Sequence, residues 1–364
     1  MNFDRIRYME WAKRMQFIDP PGTDLSGSGM EPPSLAELGV TMRDFALSGN
    51  NVYGLPALKE AIAAKYACKP GNVLIAGGTS LSNFLMAAAI LRQGDLAVVE
   101  RPTYEPLARI LQALGVRIAW FTRRFEDGYR IDPDRIRRKM PRCAKLIFVT
   151  NLFNPAGTLL EKGDLEAIGA LARRCRAMVI SDEVYLDGVF SGKTTTPAAT
   201  LGDNMVTTAS LGKIYGLGHL RVGWAIGPAR LVRRAEHIYD HLTVHNPYIA
   251  DALTLKALEN LPRLRERSRR RHVENYAIVR RWIAGRPDLS WVEPAGAFMC
   301  FPRMPKGYSS RKLQTILRSK YDAQVVPGHF FGSDRHFRLG FGMKTSTLKR
   351  GLKKLGAALD DMRS

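Results

Sequence analysis

The chain is poor in cysteine, in long apolar runs and in acidic residues, and each shortage removes a class of protein. Cys68, Cys143, Cys175 and Cys300 are the only cysteines in 364 residues, and no two form a Cys-x-x-Cys pair. Neither a zinc site nor a disulfide framework is therefore expected, and a reducing cytoplasm is the expected home. The longest clean apolar run, Phe84–Leu91, is far too short to cross a bilayer. Asp4, Arg5, Arg7 and Glu10 interrupt what would be the apolar core of a secretory signal. Acidic residues number 34 against 55 lysines and arginines, a net charge of +21. The densest basic run, Arg263–Arg271, carries no recognition-helix pattern and no aromatic stacking motif. It reads as a solvated helical face that steers anionic substrates, rather than as a nucleic-acid interface. What remains is an ordinary globular composition, 45% hydrophobic and 24% charged, long enough for a large core in one or two domains.

Short apolar segments alternate with helical ones through the middle of the chain, the pattern of a largely parallel sheet wrapped by helices. The expected strands are Val73–Ala76, Ala97–Glu100, Arg117–Thr122, Lys145–Asn151, Ala177–Ser181, Met205–Ala209 and Val222–Ile226. Helices are expected from the Gly77-Gly78-Thr79-Ser80 turn through Leu91, over Pro133–Met140 and over Leu165–Cys175. Lys145–Thr150 and Met178–Ile180 are almost continuously apolar, as strands buried on both faces should be. From Pro228 a long helical stretch runs on, broken at Pro262. Beyond about Arg286 the rhythm becomes that of a smaller α+β unit. Its expected strands are Trp291–Glu293, Ala297–Phe301, Gln324–Val326 and Phe337–Phe341, and its helices Ser309–Tyr321 and Thr345–Leu359. No internal repeat or low-complexity segment is visible.

Several residues sit where chemistry is done on such a sheet. Gly78, Thr79 and Ser80 lie between a strand and a helix, where free N–H groups and the helix dipole favour an anion. Asn154, in Asn-Leu-Phe-Asn-Pro-Ala-Gly, is fixed by a turn at the carboxyl edge of a buried strand. Asp182 ends an apolar strand, so its carboxylate needs a partner; Glu183 points the other way and is the weaker candidate. Lys213 closes Ser210-Leu-Gly-Lys213, and Arg221 follows eight residues later. Gly216-Leu-Gly218-His-Leu-Arg221 fails as a dinucleotide loop, because Arg221 stands in the third glycine's place.

The ordered set Tyr104, Asn154, Asp182, Tyr185, Ser210, Lys213 and Arg221 resembles that of the fold-type I pyridoxal-phosphate enzymes, the aminotransferase class I and II family, over residues 45–345 or so. The resemblance implies an aspartate-aminotransferase-like α/β fold: an arm of residues 1–40 packing with the small domain, a large cofactor-binding domain 41–263 and a small domain 264–364. It implies pyridoxal 5'-phosphate, with Lys213 on its aldehyde and Asp182 at its ring nitrogen. Tyr104 would stack on the ring. Asn154 and Tyr185 would reach the phenolic oxygen. Gly78, Thr79, Ser80, Ser210 and Arg221 would hold the phosphate. Arg338, in Phe-Arg-Leu-Gly-Phe-Gly, matches the family's arginine for the substrate α-carboxylate, shared with Asn154. Tyr53 matches a tyrosine that reaches the neighbouring subunit's cofactor, which implies a homodimer. Ala156 and Gly212 replace the family's usual hydroxyl residues. Gly27-Ser28-Gly29 should lie near the substrate, and Tyr8, Trp11, Phe17 and Met30 are candidate pocket residues.

The implied activity is ping-pong transamination between an amino acid and a 2-oxo acid. The alternative within the fold is a β-lyase, decarboxylase or cyclase. A DNA-binding regulator built on this fold would need a winged-helix segment, for which too few residues precede the Tyr53 motif.

Overall fold

The structure is a computed structural model that describes residues 3–139, 143–193 and 195–363. Its centre is a seven-stranded sheet in the spatial order Val73–Ala76, Gly223–Ile226, Met205–Ala209, Met178–Asp182, Ala144–Thr150, Leu96–Arg101, Arg117–Thr122. Six strands run in one direction, and only Gly223–Ile226 is antiparallel to its neighbours. The middle strands are the apolar runs read from the sequence. Leu146, Ile147, Phe148 and Val149 are fully buried because helices cover both faces. Those helices include Thr79–Ile90, Glu105–Ala113, Pro133–Lys139, Lys162–Arg174 and Ala229–Tyr239. Met140, the expected end of one of them, lies outside the described residues.

A buried ion pair fastens one edge of this sheet. Arg123 Nη1 donates to Glu100 Oε2 at 2.9 Å, and the Thr150 backbone N–H donates to Glu100 Oε1 at 2.7 Å. Neither charged side chain reaches solvent.

The long helical stretch after Pro228 is broken earlier than expected, by the segment Asp240–Pro247, before Tyr248–Glu259 resumes it. Asn246-Pro247 explains the break, since proline disfavours a helical residue before it. The expected break at Pro262 is also present: one helix ends at Glu259 and Leu261–Ala284 begins after Asn260, with Pro262 in its first turn, where its missing N–H is not needed.

The C-terminal part holds a three-stranded antiparallel sheet, Val326–Pro327, Phe337–Gly340 and Met299–Cys300, with helices Ser310–Tyr321 and Thr345–Asp360. Trp291–Glu293 forms no strand: the ladder there shrinks to a single bridge between Ser290 and Arg303. Pro294 follows directly and has no N–H to extend it. Thr23–Asp24 pairs in parallel with Ala323–Gln324, so the N-terminal segment lies against C-terminal strands. No helix among the described residues is long and apolar enough to cross a membrane.

Candidate active site

Parallel strands deliver their following residues to one rim, and nearly every residue singled out above follows such a strand. Gly78 comes two residues after Ala76, Tyr104 three after Arg101, Asn154 four after Thr150, and Lys213 four after Ala209. Asp182 is itself the last residue of its strand.

Asp182 is buried, and burial pushes its pKa up to about 6. Three contacts oppose this: Asn83 Nδ2 donates to Oδ2 at 2.8 Å, the Val184 N–H donates to Oδ1 at 3.2 Å, and the charge of Lys213 favours ionisation. Asn83 is oriented in turn by Thr208, whose hydroxyl donates to its Oδ1 at 2.6 Å. Glu183 leaves the strand on the other side, accepting from the Ala198 N–H and the Thr207 hydroxyl, both at 2.9 Å. It takes no part in the cleft, as the alternation of a strand requires.

Lys213 is half-buried, and its Nζ makes no hydrogen bond or ion pair among the described residues. Desolvation holds its pKa below that of an ordinary lysine. Arg338 and Arg221 push the same way, while Tyr8 and Asp182 push against them. Four groups from four separated segments therefore act on this one amine.

The turn at Gly78 is shaped for an anion. Gly78 has φ +91°, and a Cβ there would run into the Arg221 guanidinium. Arg221 itself holds a left-handed backbone and donates from Nη2 to the Gly77 carbonyl at 3.0 Å and from Nη1 to Gly218 at 3.1 Å. The Thr79 hydroxyl is buried without a partner at the start of its helix, where backbone N–H groups also await acceptors. Ser80 is exposed, and the Ser210 hydroxyl accepts from the Gly212 N–H at 3.2 Å. An orphaned buried hydroxyl, a guanidinium and a Cβ-free turn fit a phosphate. A buried acid and an unpaired amine fit the ring nitrogen and aldehyde of pyridoxal. The donor set as a whole therefore fits pyridoxal phosphate.

Arg338, on Phe337–Gly340, is buried and held from both sides. Nη1 donates to Asn154 Oδ1 at 3.1 Å, and Nη2 donates to the Tyr8 hydroxyl at 2.9 Å and the Ser26 carbonyl at 3.1 Å. Its Nε is buried and makes no hydrogen bond among the described residues. Tyr8 belongs to the helix Arg7–Lys13, pinned by its own N–H to Glu105 Oε2 at 2.7 Å. Tyr104 meets Tyr8 edge-on, with ring centroids 5.4 Å apart. Tyr185 donates its hydroxyl to Ser28 at 2.9 Å.

Tyr53 is not brought to this cluster. Its hydroxyl donates to Asp240 Oδ2 at 3.0 Å within the same chain. Of the candidate pocket residues, Tyr8 joins Arg338, Trp11 packs against Phe330, and the Met30 N–H donates to the Lys213 carbonyl at 2.8 Å. Phe17 is exposed and has no place in the cleft. Asn83 went unnoticed in the sequence, although it lies one helical turn beyond Thr79 and so shares its face. The contact of Ser28 with Tyr185 has no local signal, because 157 residues separate the two.

The sequence profile of the family described as aminotransferase class I and II matches residues 38–355. The arginine–pyruvate transaminase AruH of Pseudomonas aeruginosa is 27% identical over 331 residues, covering 86% of this chain and 83% of that protein. Capreomycidine synthase of Streptomyces vinaceus is 28% identical over 368 aligned positions, 96% of this chain and 92% of the synthase. A solved structure of a PLP-dependent aminotransferase from Streptococcus suis 89-1591 matches with a TM-score of 0.92 at 26% identity, over 99% of both chains.

Proposed function

Because the chain belongs to the aminotransferase class I and II family, whose members depend on pyridoxal phosphate, we propose that it moves an amino group from an amino acid to a 2-oxo acid at a single site, the donor leaving as its own 2-oxo acid before the acceptor enters. The observation that carries this reading is the unpaired Lys213 amine, set under the joint influence of Asp182, Arg338 and Arg221.

Bound pyridoxal phosphate supplies an aldehyde for the amino group and a ring that draws electrons from the α-carbon. Lys213 would hold it covalently. Asp182 would face the ring nitrogen and keep it protonated, with Asn83 and Thr208 fixing the carboxylate. Gly78, Thr79, Ser80, Ser210 and Arg221 would take the phosphate, Tyr104 the ring face, and Asn154 and Tyr185 the phenolic oxygen. Arg338 and Asn154 would clamp the substrate carboxylate, since a guanidinium fork matches two carboxylate oxygens. With the substrate so held, the Lys213 amine, once free, would take the proton from the substrate α-carbon. Desolvation lowers its pKa and so favours the neutral amine that a base requires.

Two supporting readings go with this. The arm 1–40, the unit 41–263 and the unit 264–364 are proposed as the functional divisions, with helix Leu261–Ala284 crossing the last boundary. A homodimer is proposed from an exposed apolar patch. Leu47, Val52, Leu242 and Val244 are each more than half exposed, on two segments tied by Asn51 to Asn246 and Tyr53 to Asp240. A second copy covering that patch would bring Tyr53 toward the neighbouring cleft.

The likeness to a synthase keeps a second reading in play, a lyase, decarboxylase or cyclase reaction on the same amino-acid carbanion. The holoenzyme is to be given a panel of amino acids with pyruvate or 2-oxoglutarate. New amino acid should form from the acceptor, and without it oxo acid formation should stop at about one equivalent per site. Lys213→Ala should lose both turnover and the visible band of bound cofactor. Ammonia and oxo acid released without any acceptor would sink transamination.

A further inference from the structure

We propose that a cavity on the opposite rim of the central sheet binds a small organic anion carrying two or more negative charges, separately from the cofactor cleft. Its volume is about 270 Å³. Lys145 and Met178 line it, and both stand at the starting ends of their strands. Asp182, at the finishing end of the second strand, is roughly 13 Å away along that strand at about 3.3 Å per residue. This recess and the proposed cofactor site thus lie on opposite rims of the sheet.

Four cations surround this one: Lys145, Arg176, Arg230 and Arg234. No acidic residue is among its lining. None of the four side chains makes a hydrogen bond or ion pair among the described residues. Some arginines elsewhere are paired, as Arg109 with Glu105, Arg135 with Asp127 and Arg286 with Asp288. Here, like charges converge and none is answered.

The placement adds to the case. Arg230 and Arg234 are one turn apart on Ala229–Tyr239, so their charges repel along one face. Arg176 has φ +53° directly beyond a helix end, where glycine is the ordinary residue. An arginine is thus retained at a backbone position that disfavours it. The floor is apolar, made by Ile90, Met178 and Leu231. A bare inorganic ion would leave that floor unused, whereas an organic anion would cover it with its carbon body. Phosphate monoesters and polycarboxylates share the required chemistry, several anionic oxygens matched to guanidinium forks.

Calorimetric titration of the holoenzyme with citrate, glycerol 3-phosphate, inorganic phosphate and sodium chloride, at matched ionic strength, tests this. Saturable binding of citrate points to a carboxylate ligand, and of glycerol 3-phosphate to a phosphate ester; either supports the site. The Arg230→Ala/Arg234→Ala variant should bind at least about tenfold more weakly with its transaminase rate unchanged, and Arg338→Ala should bind as wild type. Four results would overturn the proposal: no saturable binding, equal binding of inorganic phosphate, full binding by the double variant, or loss of binding in Arg338→Ala, which would locate the anion in the substrate cleft.

Discussion

Asp182 and Glu183 leave their strand on opposite faces, and burial raises the pKa of both, to about 6 and about 8. Of the two, Asp182 is the one proposed to face the cofactor, and a positive ring nitrogen beside it would draw its pKa back down. Glu183 faces away from that site: burial favours its neutral form, and it accepts from the Ala198 N–H and the Thr207 hydroxyl. Its folded pKa lies above the ordinary 4.5, so its favourable contribution is complete below pH 4.5 and is lost as pH rises toward 8. Within that window stability should fall by roughly 1.4 kcal/mol per pH unit from this site alone. Glu183→Gln keeps the shape without the proton. Urea midpoints of wild type and variant, taken at pH 5 and pH 8, should diverge, the wild type losing more on the alkaline side. Parallel curves would show that Glu183 is not neutral in the fold.

Among the elements, the N-terminal segment is the one that joins distant parts. Thr23–Asp24 pairs with Ala323–Gln324, the Gly340 N–H donates to the Leu25 carbonyl at 2.7 Å, and the Met30 N–H reaches the Lys213 carbonyl. Such close passage is possible because Gly29, Gly340 and Gly342 carry no Cβ. A methyl on Gly340 would occupy the place of the Gly27 carbonyl, and one on Gly342 that of Gly29. Gly340→Ala should therefore cost about 3 kcal/mol, read as a lowered urea midpoint, with faster hydrogen exchange over residues 25–30. A midpoint like that of the wild type would mean that the segment is not held there. The parallel strands, by contrast, were legible from their apolar runs alone, since burial on both faces leaves little choice of residue. Trp291–Glu293 misled because a short apolar segment says nothing about whether a partner strand is within reach.

For the molecule as a whole, the exposed patch around Leu47 and Val244 bears on assembly. Val244→Asp should leave a single chain where wild type sediments at twice the chain mass, and should weaken cofactor binding through the loss of the partner's Tyr53. Wild type sedimenting as one chain would end the dimer proposal. The excess of 21 positive charges is spread mainly over exposed helices such as Leu261–Ala284, where Arg269 and Arg270 meet only Glu266.

Local sequence was enough for the strand–turn units and for the chemical types they carry. A lysine, an amide and an anion-favouring turn each follow a strand within four residues and an acid ends one, and the shared direction of six strands sends these ends to one rim. It could not supply Tyr8 on Arg338, Ser28 on Tyr185 or Asn83 on Asp182, pairs separated by 330, 157 and 99 positions. The first two arise where the N-terminal segment meets the C-terminal sheet and the Tyr185 turn, and the third where helix Thr79–Ile90 packs on strand Met178–Asp182, because side chains so far apart in the chain meet through packing rather than through periodicity.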